Sequence, residues 1–187
     1  MSLSLVDGEA LAITGANGSG KSTLLQILAG VLTPTSGSVE LSIRDREVTR
    51  ERHPLHVGLV APYLNVYDGF SPRENLSFIA KARRLANAGP RIAGALEFVS
   101  LTDRADDLVG TFSSGTKQRV KFAAAILAEP DVLLLDEPRV NLDAAGLEMV
   151  NRTVQFHRDR GGLLLVATND PAEAGQFDGQ VRIEDYR

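Results

Sequence analysis

The 187-residue chain predicts an α/β fold: a mostly parallel sheet, a small antiparallel β part and an inserted helical subdomain. Three observations carry that expectation. Residues 132–135 and 163–167 are nearly continuous aliphatic runs of strand length, as expected of strands buried on both faces. Around them lie segments with apolar residues at helical spacing, so strands and helices alternate along the chain. Val39-Glu40-Leu41-Ser42-Ile43 instead alternates apolar with polar, which fits an antiparallel strand with one wet face.

Taken in order, residues 9–14 read as a short strand running into a glycine-rich turn. Residues 21–32 carry Leu24, Leu25, Ile27 and Leu28 at helical spacing and predict a helix, with Pro34 and Gly37 marking the turn beyond it. Residues 56–60 predict a strand, and 61–72 have no periodicity. From Arg73 to about Val109 the pattern is helical, broken near Gly89-Pro90 and again near Leu101, so that a helical insertion spans about 71–115 of one domain, 1–187. Residues 116–128 predict an amphipathic helix and 144–160 a longer one. Val181-Arg182-Ile183 predicts a last edge strand.

Bulk properties narrow the function. With 43% hydrophobic and 24% charged residues the chain reads as an ordinary globular protein. A net charge of -4 argues against nucleic acid as a partner, and the basic run Lys81-Ala82-Arg83-Arg84 reads as a solvated helix face. The absence of cysteine excludes disulfides and thiol chemistry, and is compatible with the cytosol. His53, His56 and His157 have no metal-like spacing. The first ten residues have no basic region, so no signal peptide is expected, and no apolar run approaches the ~20 residues a bilayer requires.

The chemistry begins at Gly15-Ala16-Asn17-Gly18-Ser19-Gly20-Lys21-Ser22, which fits GxxxxGK[ST] between a predicted strand and a predicted helix. Glycines let backbone N–H groups converge on phosphates where side chains would not fit, and the helix start adds its positive dipole end. The expected core is therefore that of a P-loop NTPase. Gly15, Asn17, Gly18, Ser19, Gly20, Lys21, Ser22 and Thr23 are the expected nucleoside-triphosphate-binding residues, with Lys21 on the β- and γ-phosphates and Ser22 offering its hydroxyl to Mg²⁺. This pattern alone does not separate a transport ATPase from a kinase or GTPase. The run 132–135 ends in Asp136 and Glu137. Adjacent strand side chains face opposite ways, which assigns them separate roles. Asp136 is expected to hold Mg²⁺, directly or through water, and Glu137 to orient and deprotonate the attacking water.

Phe112-Ser113-Ser114-Gly115-Thr116-Lys117-Gln118-Arg119, with Asp136-Glu137-Pro138 and Asn141-Leu142-Asp143 downstream, resembles an ABC (ATP-binding cassette) ATPase, in a compact form similar to haem-exporter subunits of cytochrome c maturation. The resemblance runs from Gly8-Glu9 to Val181-Arg182-Ile183. It implies that Ser113, Ser114 and Gly115 form a signature facing the γ-phosphate of ATP held by a second subunit, with Ser113 or Ser114 capping the next helix. It implies that Asp143 belongs to the loop closing that seam. It further implies a homodimer, and ATP hydrolysis with Mg²⁺ coupled to a separate membrane permease, in the export direction, at the inner face of the cell membrane. Pro72-Arg73-Glu74-Asn75-Leu76 and the helices after it would form the permease face, with Tyr67 and Phe70 either there or in the core. A soluble ABC protein of another class, or a degenerate cassette that hydrolyses ATP very slowly, are the alternatives.

The chain also departs from the family. Pro62 stands where a glutamine normally touches Mg²⁺, leaving Tyr63 or Asn65 to compensate. Asn169 replaces the switch histidine and donates a hydrogen bond without a positive charge, which predicts slow hydrolysis. Ser114 replaces the first glycine of the signature pair and Thr116 its final glutamine. Arg139 stands where threonine is common. No room remains before Met1-Ser2-Leu3-Ser4 for the family's upstream strand and adenine-stacking aromatic, so either the start lies upstream or adenine is bound loosely.

Overall fold

A computed structural model describes residues 2–140 and 142–186. In chain order, β1 (Ala10–Thr14) leads into α1 (Lys21–Leu28). The hairpin β2 (Leu41–Ile43) and β3 (Arg46–Val48) follows, then the single turn α2 (His53–His56) and β4 (Val57–Val60). Helices α3 (Pro72–Ala82), α4 (Ala88–Phe98) and α5 (Ser114–Ile126) come next. The chain finishes with β5 (Val132–Asp136), α6 (Ala144–Asp159), β6 (Leu163–Ala167), α7 (Pro171–Ala174) and β7 (Gly179–Arg182).

Five strands form one sheet in the order β4-β5-β6-β1-β7, and every pairing in it is parallel. The aliphatic runs follow from this, because β5 and β6 are covered on both faces. Leu133, Leu135, Leu164 and Val166 pack with Phe122 of α5 and Met149 of α6 on one side. Leu134, Leu165 and Ala167 pack with Ile13 of β1 and Leu25 of α1 on the other. Each fully buried leucine contributes about 2 kcal/mol of transfer free energy, so these two strands set the orientation of what lies at their C-terminal ends.

Several boundaries differ from expectation. The predicted helix 21–32 stops at Leu28, because Gly30 turns left-handed (φ 73) and leaves Val31 and Leu32 exposed. His56 closes α2 rather than opening a strand. The break expected near Gly89-Pro90 lies earlier, at the left-handed residues Arg84 and Asn87. Pro90 sits in the first turn of α4, where its missing N–H removes no helical bond. The helical pattern expected to reach Val109 ends at Phe98 and gives way to short 3-10 turns, and Ile183 leaves the edge strand for another. Arg83 is not on a solvated face: its guanidinium donates to the Pro54 and Val57 carbonyls, both at 2.9 Å, tying α3 to α2 and β4.

Candidate active site

Parallel strands deliver their C-terminal ends to one edge of the sheet, and residues from three of them meet there. The chain leaves β1 at Thr14 and curls through the glycine-rich loop into α1. Gly15, Gly18 and Gly20 all have positive φ (151, 77 and 111), which side chains rarely adopt. The Ser19 N–H donates to the Ala16 carbonyl at 3.0 Å and closes the loop. A Cβ on Gly15 would sit 2.7 Å from the Ser19 hydroxyl, and at φ 151 any side chain would be strained, so the position favours glycine. Asn17 and Gly18 form the exposed crest, and Ser22 and Thr23 lie in the first turn of α1. No side chain among the described residues caps α1. Its first N–H groups therefore remain available to an anion.

Lys21 opens α1, and its side chain is 6% exposed. Its Nζ donates to the Gly15 carbonyl at 2.8 Å and the Ala16 carbonyl at 3.3 Å, and lies 3.9 Å from Glu137 Oε1. The last residue of β5, Asp136, is 1% exposed, and neither carboxylate oxygen has a hydrogen-bond partner among the described residues. Burial pushes its pKa up, opposed by the nearby Ser22 hydroxyl and the Lys21 charge. Glu137 breaks the expected alternation. Its left-handed backbone (φ 47), anchored by its N–H donating to the Ala167 carbonyl at 2.9 Å, swings the carboxylate back toward Lys21. Asp136 and Glu137 consequently act on the same cation instead of facing apart. Burial raises the Glu137 pKa; Lys21 opposes the rise, and the charges of Asp136 and Glu173 reinforce it.

Asn169, two residues past β6, donates from Nδ2 to Asn17 Oδ1 at 3.3 Å, while its backbone steadies the Glu137 carboxylate. Lys21, Asp136, Glu137, Asn17 and Asn169 thus converge, although they come from three separate strand ends. At the glutamine position, the Pro62 carbonyl accepts from Lys121 Nζ of α5 at 3.3 Å. Its neighbour Tyr63 lies close enough to feel the Asp136 charge. Burial raises its hydroxyl pKa and the Asp136 charge adds to that, with Gln26 opposing.

The signature residues lie elsewhere. Ser113, rather than Ser114, caps α5, its Oγ accepting from the Thr116 N–H at 3.2 Å. Ser113, Ser114 and Gly115 line a cavity of about 400 Å³ with Arg104, Arg119 and Asp143, and no phosphate-loop residue borders it. Asp143 caps α6 through the Gly146 N–H at 2.7 Å and lies 3.6 Å from an Arg119 nitrogen. Asn141, the other expected polar residue of that loop, lies outside the described residues.

Arg139 carried no role in the sequence. Its Nε stands 3.2 Å from Glu173 Oε1, and it donates to Asn151 Oδ1 at 2.7 Å and Gln176 Oε1 at 3.3 Å. It therefore binds the segment after Glu137 to α6 and α7. No local spacing announces this contact, because its partners lie 12, 34 and 37 residues on.

The family profile described as ABC transporter matches residues 1–140. The linearmycin resistance ATP-binding protein of Bacillus subtilis is 32% identical over 181 residues, covering 95% of this chain and 57% of its own length. The Nod factor export ATP-binding protein I of Burkholderia orbicola is 34% identical over 177 residues, covering 93% of this chain and 58% of its own. The chain thus spans less than two thirds of these two relatives. The lipoprotein-releasing system ATP-binding protein of Bordetella pertussis is 33% identical over 198 residues, covering 100% of this chain and 84% of its own. A solved dimeric ATP-binding cassette in a post-hydrolysis state with ADP and Pi superposes with a TM-score of 0.82. It is 25% identical and covers 96% of this chain and 83% of that one.

Proposed function

The chain belongs to the ABC transporter family of ATP-binding subunits, and from that premise we propose that it hydrolyses ATP between two head-to-tail copies to drive a separate membrane permease, in the export direction. Residues 1–187 act as one cassette, with the helices at about 71–115 as its insertion. One observation carries the proposal: a buried lysine held by its own loop's carbonyls within 3.9 Å of Glu137 and beside an unbonded buried aspartate.

The residues support a specific division of labour. Incoming phosphates draw Lys21 off the Gly15 and Ala16 carbonyls, while the loop N–H groups and the uncapped start of α1 hold the β- and γ-phosphates. The hard oxygen donors that Mg²⁺ prefers are present as the two unbonded Asp136 oxygens and the Ser22 hydroxyl, and these residues would hold it. Bound there, Mg²⁺ supplies charge neutralisation on the β- and γ-phosphate oxygens. Glu137 orients a water and takes its proton as the oxygen bonds to the γ-phosphorus. The bond from that phosphorus to the bridging oxygen breaks, giving ADP and phosphate. The raised pKa of Glu137 makes it a better proton acceptor than an exposed carboxylate. Asn169 donates to the γ-phosphate, and Ser113, Ser114, Gly115 and Asp143 of a second copy close over it.

Tyr67, Phe70 and Phe78 are exposed, and Tyr67 packs against both phenylalanines, with ring centroids 5.4 and 5.6 Å away. Such a patch beside α3 suits an apolar permease segment. No helix among the described residues is long and apolar enough to cross a membrane; in this proposal the permease supplies the spanning part, and the cassette works at its cytoplasmic face. Pro62 and Asn169, which bring no charge to the γ-phosphate, favour slow turnover.

The test uses two variants. Lys21→Ala is expected to remove MgATP binding measured by calorimetry. Glu137→Gln is expected to keep binding and lose multiple-turnover phosphate release. Unchanged ATP affinity in Lys21→Ala overturns the assignment of the loop.

A further inference from the structure

A residue outside every recognised motif fastens the phosphate loop. Glu184 sits in the 3-10 turn Ile183–Tyr186 that follows β7. The parallel pairing of β7 with β1, with Thr14 opposite Arg182, sets that turn down beside the loop. Glu184 Oε1 accepts the Ala16 N–H at 2.7 Å, and a Cβ on Gly15 would meet both carboxylate oxygens at 2.9 Å. The neighbouring Ile183 reaches to 3.9 Å from where a Cβ of Gly20 would stand, so the turn approaches both ends of the loop.

The Gly15 carbonyl belongs to the same peptide unit as the Ala16 N–H, and it accepts from Lys21 Nζ at 2.8 Å. That peptide is thus gripped at both ends, by an anion on its N–H and a cation on its C=O. A flip would aim N–H at the ammonium and C=O at the carboxylate, which is repulsive twice over. Gly15, at φ 151, is where a flip meets the least steric resistance.

We infer that Glu184 is a positioning residue for triphosphate binding: it fixes the Gly15–Ala16 peptide with its carbonyl toward Lys21, which keeps the loop in its phosphate-receiving shape. This rests on the loop being the phosphate site. An acid near a triphosphate also repels it, so the two effects have opposite signs. The short, charge-assisted hydrogen bond acts on the loop directly, whereas Lys21 screens the repulsion. The positioning effect therefore wins. Since it shapes the site equally for bound nucleotide and for the transition state, it acts on affinity and not on turnover.

Calorimetric titration of MgATP and MgADP, with steady-state phosphate release, tests this on wild type, Glu184→Ala, Glu184→Gln and Lys21→Ala. Glu184→Ala is expected to weaken both nucleotides about tenfold with kcat within about twofold. Glu184→Gln, which keeps an acceptor oxygen, should stay within about threefold of wild type. Unchanged or tighter binding in Glu184→Ala overturns the inference, as does a Glu184→Gln variant as weak as Glu184→Ala. In wild type alone, the Ala16 amide proton is expected downfield in ¹H–¹⁵N spectra and should move upfield as the carboxylate is protonated. An Ala16 amide indifferent to acid overturns the inference without any variant. If wild type itself ignores MgATP, the phosphate-site reading fails; normal wild-type binding with an unaffected Glu184→Ala sinks only the role of Glu184.

Discussion

In the proposed mechanism, Asn169 limits the rate that the site can reach. Its amide reaches Asn17 at 3.3 Å and offers a γ-phosphate a neutral donor, where family members usually present an imidazole that can be positive. A transition state with negative charge spreading over the γ-phosphoryl oxygens rewards a charged donor more than a neutral one. Asn169→His is accordingly expected to raise kcat for ATP by about tenfold, with little change in ATP affinity. Single-turnover phosphate release measures it, and an unchanged or lower rate shows that another step limits hydrolysis. Glu137 illustrates a second residue-scale effect. Alternation along β5 says that it points away from Asp136, and its left-handed backbone undoes that geometry. The strain sits at the one carboxylate assigned to move a proton, where such conformations tend to collect.

At the scale of elements, the join between β5 and α7 depends on Arg139. Glu173 is 4% exposed, and a buried carboxylate without a cation costs several kcal/mol or takes up a proton. Arg139→Thr, which restores the common residue, leaves Glu173 without that partner. We expect a loss of about 1–3 kcal/mol, read as a Tm lowered by about 3–10 °C. With its neutralising partner gone, Glu173 should raise the Glu137 pKa further while it stays ionised. The base is active when deprotonated, so the acid limb of the pH–rate profile moves to higher pH. A Tm and acid limb equal to wild type would mean that the contact is idle. The contrast between Arg139 and the phosphate loop marks what the sequence discloses. Buried strands and the glycine-rich loop are written in consecutive residues, so β1, β5, β6 and the cradle are legible from spacing alone. β3 was missed because its hairpin turns through Arg44 and Asp45, both left-handed (φ 51 and 60), where a glycine or asparagine would have signalled the turn. Pro90 misled for the opposite reason, being a breaker inside a helix but at home in a first turn. Arg139, Arg83 and Glu184 act through partners brought close only by the sheet order, which no local pattern encodes.

For the whole molecule, the two halves of the chemistry lie apart, since no phosphate-loop residue borders the signature cavity. The cradle with Lys21 and Glu137 sits at the strand ends, and Ser113, Ser114 and Gly115 open into a separate cavity of about 400 Å³. That cavity is lined by the start of α5, Arg104 and Arg119, with the Asp143 carboxylate 3.6 Å from Arg119, and in the proposed dimer its cations and helix start face an anion. A single copy cannot bring its own signature to its own ATP, whereas two copies related by a twofold axis supply each ATP with both. Nucleotide then becomes part of the interface, and the dimer should last as long as the γ-phosphate does. Glu137→Gln, which preserves the cradle but stops proton removal, is expected to run at twice the mass of one chain by light scattering in MgATP. It should run as a monomer with MgADP. Adding Gly115→Asp places a carboxylate against the incoming γ-phosphate; ATP affinity should survive in the monomer while the doubling is lost. A Glu137→Gln chain that binds ATP yet remains monomeric would break the link between the two cavities, since the signature would then have no phosphate to meet.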